Sequence, residues 1–359
     1  MKKKTKSIAR NISSLSHDEI EKVADEPFEW WGCSPEAARK VMVNKSKALY
    51  DKRTTLKEAV GKYIHDGINI AIGGFVNSRI PVAIIHEIIR KGAKDLTLSF
   101  HSNSICAELL AGAMILYPDH ISFKRVELAW WGYEILGIAP LLRYIANKGM
   151  VRFDDYTNYG MAARFKAGAM GIEFIPVRDH GGSDMEQVNR GVMVKSPFSR
   201  KNIYLVPASY PDVGIIHVTG ADMYGNCRIF GPLCTCPEIA MASAHTIVTT
   251  EKIIPEDNIR VYPNLTEIPY AAVDAVIEQP YGAYPGVCYG FYWFDIEHIQ
   301  MFRNASDEFR KTGNADVLKK YYEEYIFGCE TTNDFLKKIP PDNLKRITEL
   351  DGGQPIILS

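Results

Sequence analysis

Apolar positions in the first third of the chain follow two periods in turn. Leu56, Val60 and Ile64 recur at helical spacing behind Thr55-Leu56-Lys57-Glu58, a capping-box spacing in which the threonine hydroxyl and the glutamate each satisfy a free backbone donor of a new helix. Asp66-Gly67 stops that helix, and Ile68-Asn69-Ile70-Ala71-Ile72 reads as a buried strand running into Gly73-Gly74-Phe75. A second helix is predicted from Pro81, a good first-turn residue, through Ile84, Ile85, Ile88 and Ile89 to Lys91-Gly92; a second strand follows from Leu96 to Phe100. Helix, strand, glycine turn, helix, strand is the grammar of an α/β fold: an open, mostly parallel sheet flanked by helices.

Further apolar or alternating runs at 121–129, 174–177, 203–208, 213–218, 246–250 and 272–277 extend the sheet, with helical stretches at 161–171 and 237–244 between them. From about Asp295 the pattern changes to charged helical segments, 299–312 and 316–327, ending in a loop at Pro340-Pro341. Residues 1 to 55 carry 12 Lys/Arg against 8 Asp/Glu, and their apolar residues, Phe28, Trp30 and Trp31, are clumped rather than periodic. The sequence therefore divides into an N-terminal extension (1–53), an α/β domain (54–295) and a helical C-terminal tail (296–359). The indole pair argues that part of the extension docks on a surface, because free aromatics would be sticky.

Composition narrows the function classes. Across 359 residues, 42 Lys/Arg balance 43 Asp/Glu, so no global positive field exists to hold nucleic acid or an anionic membrane. No apolar run approaches the roughly 18 residues of a membrane span. Seven scattered cysteines fit reduced thiols in a cytoplasm better than a disulfide framework. The basic start, Met1 to Arg10, is followed by polar residues where an export signal would need an apolar stretch.

Several polar groups fall at predicted strand ends, where open α/β sheets place ligands. Gly73-Gly74 permits positive φ and close backbone approach, but it lacks the lysine of a phosphate loop and the third glycine of a dinucleotide fingerprint, so ATP and NAD fit poorly. Asn77, Ser78 and Arg79 precede the second helix and could hold a carboxylate or merely cap the helix. His101-Ser102-Asn103-Ser104, read as a polar turn, would lie beside them if the two strands are neighbours. Glu134 follows Trp130-Trp131-Gly132-Tyr133, and a carboxyl among aromatics suits acid or base work. Asp154 and Asp155 are adjacent on a strand and so point to opposite faces, which disfavours a shared-proton pair. Cys234-Thr235-Cys236 with a distant His245 lacks the second ligand pair of a structural zinc site, so no metal is expected.

Together these segments resemble the alpha-type subunits of family I coenzyme A transferases, the glutaconate type in particular, over about residues 54 to 340. The resemblance rests on Asp66-Gly-Ile-Asn-Ile-Ala-Ile-Gly-Gly-Phe75 with Pro81 beyond it, Trp131-Gly-Tyr-Glu134, Asp155-Tyr156, Phe174-Ile-Pro-Val177 and Ala221-Asp-Met-Tyr-Gly-Asn226. It rests above all on Pro280-Tyr-Gly-Ala-Tyr-Pro-Gly-Val-Cys-Tyr-Gly290. Arg79 stands where many members carry glycine, a departure the glutaconate type tolerates. The resemblance implies that a beta-type partner supplies a nucleophilic glutamate that passes through a glutamyl-CoA thioester, in an assembly of α2β2 type. It further implies that a coenzyme A thioester is a substrate and that no cofactor is permanently bound. The S-E-N-G motif of that glutamate is absent from this chain. By the same resemblance Gly73, Gly74 and Phe75 form a wall of the acyl pocket; Asn77, Ser78 and Arg79 offer donors to a carboxylate; and Glu134 faces the cavity. A related branch, hydrolases that open steroid-derived rings as CoA thioesters, would put acid–base work on Asp155. A third reading is a non-catalytic acyl-CoA-binding protein with no obligate partner.

Overall fold

The computed structural model describes residues 28–351; the basic N-terminal run and the last eight residues lie outside the described residues. The capping box forms: Glu58 N–H donates to Thr55 Oγ1 at 3.2 Å and Thr55 N–H donates to the Glu58 carboxylate at 3.1 Å, opening a helix over Leu56–Tyr63. Strand β1 (Asn69–Ile72) is buried at every position. In the next helix, Val82–Lys91, Pro81 sits at the N-cap instead of inside the first turn. Strand β2 runs Leu96–Asn103, three residues further than expected. His101, Ser102 and Asn103 are thus strand residues rather than a turn, because Ser102 pairs with Trp130 and Asn103 with Trp131 on the neighbouring strand.

Strands β3 (Phe123–Trp131) and β4 (Arg152–Asp155) continue outward from β2. Strands β5 (Phe174–Val177), β6 (Val192–Lys195) and β7 (Asn202–Pro207) leave the main sheet and pair antiparallel as a separate sheet in the order β5-β7-β6. The chain then returns through β8 (Val213–Ala221), β9 (Cys227–Arg228), β10 (His245–Ile253) and β11 (Ala275–Glu278). The main sheet has the order β11-β10-β8-β1-β2-β3-β4, parallel throughout, with short β9 antiparallel to β8. Successive strands run outward in opposite directions from the β1–β8 pair, so the strand order reverses there and leaves a crevice at the carboxyl ends.

Packing explains the helical tail. Helix Ile105–Leu116 is buried from Ile105 through Met114, the mark of a helix enclosed on all sides. A Cβ on Gly112 would come 2.3 Å from the Tyr322 hydroxyl, which donates to the Leu109 carbonyl at 2.5 Å. Glycine at that position lets helix Asp316–Tyr322 seat directly on the central helix. Ile299, Phe302, Leu318 and Tyr321 of the tail join the same core as β1 to β3. Pro341 starts a helix, Pro341–Asp351, in place of the expected loop, because a proline in the first helical position sacrifices no hydrogen bond. At the other end, Arg53 bridges Val276 and Thr54 N–H donates to its carbonyl, leading the N-terminal segment in along β11.

Candidate functional site

The turn after β1 is a built structure. Gly73 N–H donates to Ile215 O at 2.9 Å, and a Cβ there would come 3.1 Å from Ile216 and 3.3 Å from Cys236 Sγ. Gly74 has φ +84°, and a Cβ would stand 2.6 Å from Ser78 O. Phe75 and Ser78 exchange backbone hydrogen bonds of 3.0 and 2.7 Å, closing the turn. Val76 and Arg79 also lie in the left-handed region, at φ 52° and 48°, a conformation that a branched or bulky residue adopts only when its surroundings over-determine it. Val76 is fixed by the end of β2, its N–H donating to Ser102 O at 3.1 Å and its carbonyl accepting from Ser104 Oγ at 2.5 Å, and Arg79 by the Pro280–Gly290 run. Arg79 N–H donates to Val287 O and Val287 N–H to Asn77 O, both at 2.7 Å, while the Ser78 and Tyr289 hydroxyls meet at 3.1 Å. The two most diagnostic motifs of the sequence are therefore one piece of structure.

Beside this turn an open cavity of about 280 Å³ lies over the carboxyl ends of β1 to β4, lined by Phe75, Ser102, Ala129, Trp130, Glu134, Tyr156, Thr157, Asn158 and Met185. Three of the sequence candidates, Phe75, Ser102 and Glu134, are brought together in it. Ser102 Oγ is buried and has no hydrogen-bond partner among the described residues. His101 packs its ring against Phe75 at 5.3 Å and binds Asn158 O through Nε2 at 3.0 Å. A carbonyl only accepts, so Nε2 carries the proton and Nδ1 is left as an unpartnered acceptor. Burial holds the imidazole below its ordinary pKa, in the neutral form, against the opposing pull of the Asn158 carbonyl.

Glu134 has φ 53° and opens a short 3₁₀ turn, Glu134–Leu136, closed by Gly137 N–H donating to Glu134 O and by a bridge between Gly132 and Ile138. The turn projects Ile135, 83% exposed, and Trp130 and Ile138 nearby in the chain are exposed as well.

The remaining candidates fall elsewhere. Gly73 and Gly74 are not among the lining residues, and Asn77 and Ser78 serve the clamp, with Ser104 Oγ donating to Asn77 Oδ1 at 2.7 Å from the end of β2. The Arg79 guanidinium is fully buried, donates to the Pro232 carbonyl and faces Cys236 Sγ at 3.7 Å, so it ties the turn to the 232–236 loop, and it is not among the residues that line the cavity. Asp154 and Asp155 do point apart. Asp154 is buried among Tyr156 and two arginines, while the Asp155 carboxyl is pushed up by burial and by Asp154 and is not among the lining residues. Sequence reading missed Thr157, Asn158 and Met185. A signal exists for the first two: Thr157 caps the helix Asn158–Met170 by accepting from Gly160 N–H at 2.8 Å, so that helix starts three residues before the apolar run at Met161.

For metals, Cys236 Sγ already accepts from Gly74 N–H at 3.2 Å and His245 pairs with Asp274 at 3.5 Å. One buried cluster, His217, Glu251 and Cys288, has ligand atoms within 4.8 Å of one another. Its polar groups are satisfied internally: Glu251 Oε1 binds His217 at 2.8 Å and accepts from Tyr292 OH at 2.6 Å, while Oε2 accepts from Tyr281 N–H at 2.8 Å. No helix among the described residues is long and apolar enough to cross a membrane.

Comparison with known proteins places this geometry. Residues 53–279 match the family model of coenzyme A transferase. The A-subunit of 3-oxoadipate CoA-transferase from Pseudomonas knackmussii is 32% identical over 79% of this chain and 97% of its own length. The A-subunit of glutaconate CoA-transferase from Acidaminococcus fermentans is 29% identical over 84% of this chain and 96% of its own. The crystal structure of the Acidaminococcus fermentans glutaconate enzyme superposes with a TM-score of 0.76, covering 82% of this chain and 95% of that one. The sheet order, the clamped glycine turn and these similarities lead to one conclusion: the chain belongs to the coenzyme A transferase family.

Proposed function

We propose that this chain is the alpha-type half of a heteromeric acyl-CoA:carboxylate CoA-transferase that works in the cytoplasm. The observation that carries the reading is the union of the Gly73–Arg79 turn with the Pro280–Gly290 run beside an open cavity, in a chain similar along most of its length to the corresponding halves of two CoA-transferases. A coenzyme A thioester is the substrate, and no resident cofactor takes part. The nucleophile is a glutamate of a beta-type partner. Its carboxylate attacks the acyl-CoA carbonyl and expels the CoA thiolate. The thiolate attacks the glutamyl carbonyl of the resulting anhydride, releasing the first acid as its carboxylate and leaving a glutamyl-CoA thioester. An incoming carboxylate reverses these steps, leaving as a new acyl-CoA and freeing the glutamate.

This chain's residues bind and orient. Phe75 and Trp130 offer apolar surface to the acyl group, Ser102 Oγ offers a hydrogen-bonding group, Glu134 stands at the rim, and His101, outside the lining, supports Phe75 and Asn158 from behind. The cavity, about 280 Å³, is open to the surface, in keeping with a pocket that a second chain closes. The exposed Trp130, Ile135 and Ile138 at its edge suit burial against that partner, in an α2β2 assembly. The ring-opening hydrolase reading would place acid–base work on Asp155, which does not line the cavity. The test is to purify the tagged chain gently from its native host and assay CoA exchange between acetyl-CoA and carboxylic acids. Activity that requires both this chain and a stoichiometric partner supports the reading; a lone chain that binds acyl-CoA without turnover overturns it.

A further inference from the structure

The segment ahead of the α/β domain carries an indole that is enclosed by arginines. Trp31 is 5% exposed, and its ring is faced by Arg190 at 4.1 Å, Arg152 at 5.0 Å and Arg125 at 5.4 Å. Glu29 completes the cap: its carboxylate pairs with Arg125 and, at 2.9 Å, with Arg152, and its carbonyl accepts from Arg190 Nη1 at 2.5 Å. The segment is seated by Cys33 N–H donating to Tyr210 O at 2.8 Å, and a Cβ at Gly32 would strike that same carbonyl at 2.1 Å, so the chain passes flush against the domain.

Beneath the indole the same arginine reaches the cavity wall. Arg190 Nε donates to Asp154 Oδ2 at 2.7 Å, its backbone N–H donates to Asp154 Oδ1 at 3.0 Å, and its Nη2 donates to Glu127. Asp154 Oδ2 accepts from Tyr156 OH at 2.9 Å, and Arg164, held to Glu127 at 2.8 Å, lies over the Tyr156 ring at 4.2 Å. Tyr156, Thr157 and Asn158 line the cavity, and Met185, a few residues before Arg190 in the chain, shares that lining. Asn189 Nδ2 donates to Asp155 O at 3.0 Å, tying the two segments together. In this network the guanidiniums of Arg125, Arg152, Arg164 and Arg190 meet the carboxylates of Glu29, Glu127 and Asp154. Three of these guanidiniums, those of Arg125, Arg152 and Arg190, lie against Trp31, whose quadrupole attracts cations most strongly when water is excluded.

We propose that Trp31 is a positioning residue for the cavity: by holding Arg190 against Asp154 it fixes the Tyr156–Asn158 wall and the Met185–Arg190 segment. The described part of the N-terminal extension thereby acts on a site to which it contributes no lining residue. The cavity is geometric and the coupling does not depend on which reaction runs there; only the kinetic part of the test rests on the transferase reading.

The experiment compares wild type, Trp31→Ala, Trp31→Leu and Trp31→Phe in the complex as purified from the native host, by amide hydrogen exchange and by steady-state kinetics with acetyl-CoA as donor. The expected result for Trp31→Ala is about tenfold faster exchange in 152–158 and 185–190, with β1 and β8 unchanged. The apparent KM for acetyl-CoA or for the acceptor acid should rise by a similar factor with kcat moved less than about twofold. Trp31→Phe, which retains an aromatic face, should restore both. Unchanged exchange in those two segments, or an equal rise across the whole sheet with KM unaltered, overturns the proposal; if the alanine variant does not fold, Trp31→Leu is read by the same criteria. A complex that transfers no CoA defeats the functional reading, while the exchange data still decide this one.

Discussion

Ser78 and Tyr289 stand 211 residues apart in sequence and meet hydroxyl to hydroxyl at 3.1 Å. The contact belongs to a backbone clamp, Arg79 N–H to Val287 O and Val287 N–H to Asn77 O, that holds Arg79 in the left-handed region, while Val76 is held there by Ser102 O and by Ser104 Oγ donating to its carbonyl. The clamp makes the turn a rigid wall and gives its glycines a steric purpose.

Gly74→Ala tests that rigidity. The added methyl would be 2.6 Å from Ser78 O at φ +84°, so backbone and clamp must both shift, at a cost of about 2–4 kcal/mol. Thermal unfolding of the variant should begin well below wild type; an unchanged midpoint would mean that the turn is soft.

Arg79→Ala separates the two roles open to that guanidinium. Bound to Pro232 O and Cys236 Sγ, the side chain supports a loop, and its removal should destabilise the chain by about 2–4 kcal/mol through an unfilled buried volume. The KM values for acid and for CoA thioester should then move together. A large rise for the acid alone, in a variant of normal stability, would return the arginine to carboxylate binding.

Ser102→Ala has the opposite signature. The hydroxyl is buried without a partner among the described residues, so its loss should leave stability equal or slightly improved. If it donates to the acyl group, kcat/KM should fall by about tenfold, the worth of one hydrogen bond of about 1.4 kcal/mol. Unaltered kinetics would remove it from the site.

Glu108 gives a pH signature of the core. Burial raises its carboxyl from 4.5 to about 8, against the pull of the Leu141 and Leu142 N–H groups and of Arg303. A raised folded value means that the folded state holds a proton the unfolded chain has released. The group's contribution is therefore complete below pH 4.5 and is lost progressively as pH rises toward about 8, at about 1.4 kcal/mol per pH unit for one proton. Glu108→Gln should flatten urea-unfolding stability across pH 5 to 8; parallel curves for variant and wild type would refute the assignment.

Much of this is legible in one dimension, for identifiable reasons. The Thr55–Glu58 box, the β1 run and the isoleucine face of Val82–Lys91 are local patterns, and local patterns survive folding. The Gly73–Arg79 turn and Pro280–Gly290 can each be recognised alone, but their union depends on the β8–β1 pairing, which no local pattern encodes. His101 to Asn103 look like a polar turn by residue type and are strand because β3 supplies ladder partners. Arg79 looks like a ligand donor because arginines are seldom fully buried; its contact with the 232–236 loop, brought in from far along the chain, is not visible in one dimension. Trp31 is readable as a docking residue, but the arginines around it come from three separate segments.

The most direct test of the central claim is intact-mass analysis of both partners after the purified complex is mixed with acetyl-CoA and quenched. Attack by a partner glutamate releases acetate and leaves CoA joined as a thioester, so the partner should gain the mass of CoA less a water in a form that hydroxylamine removes, while this chain stays unmodified. A hydroxylamine-sensitive CoA adduct on this chain, at Glu134 or any other carboxylate, would contradict the assignment of an orienting rather than a nucleophilic role.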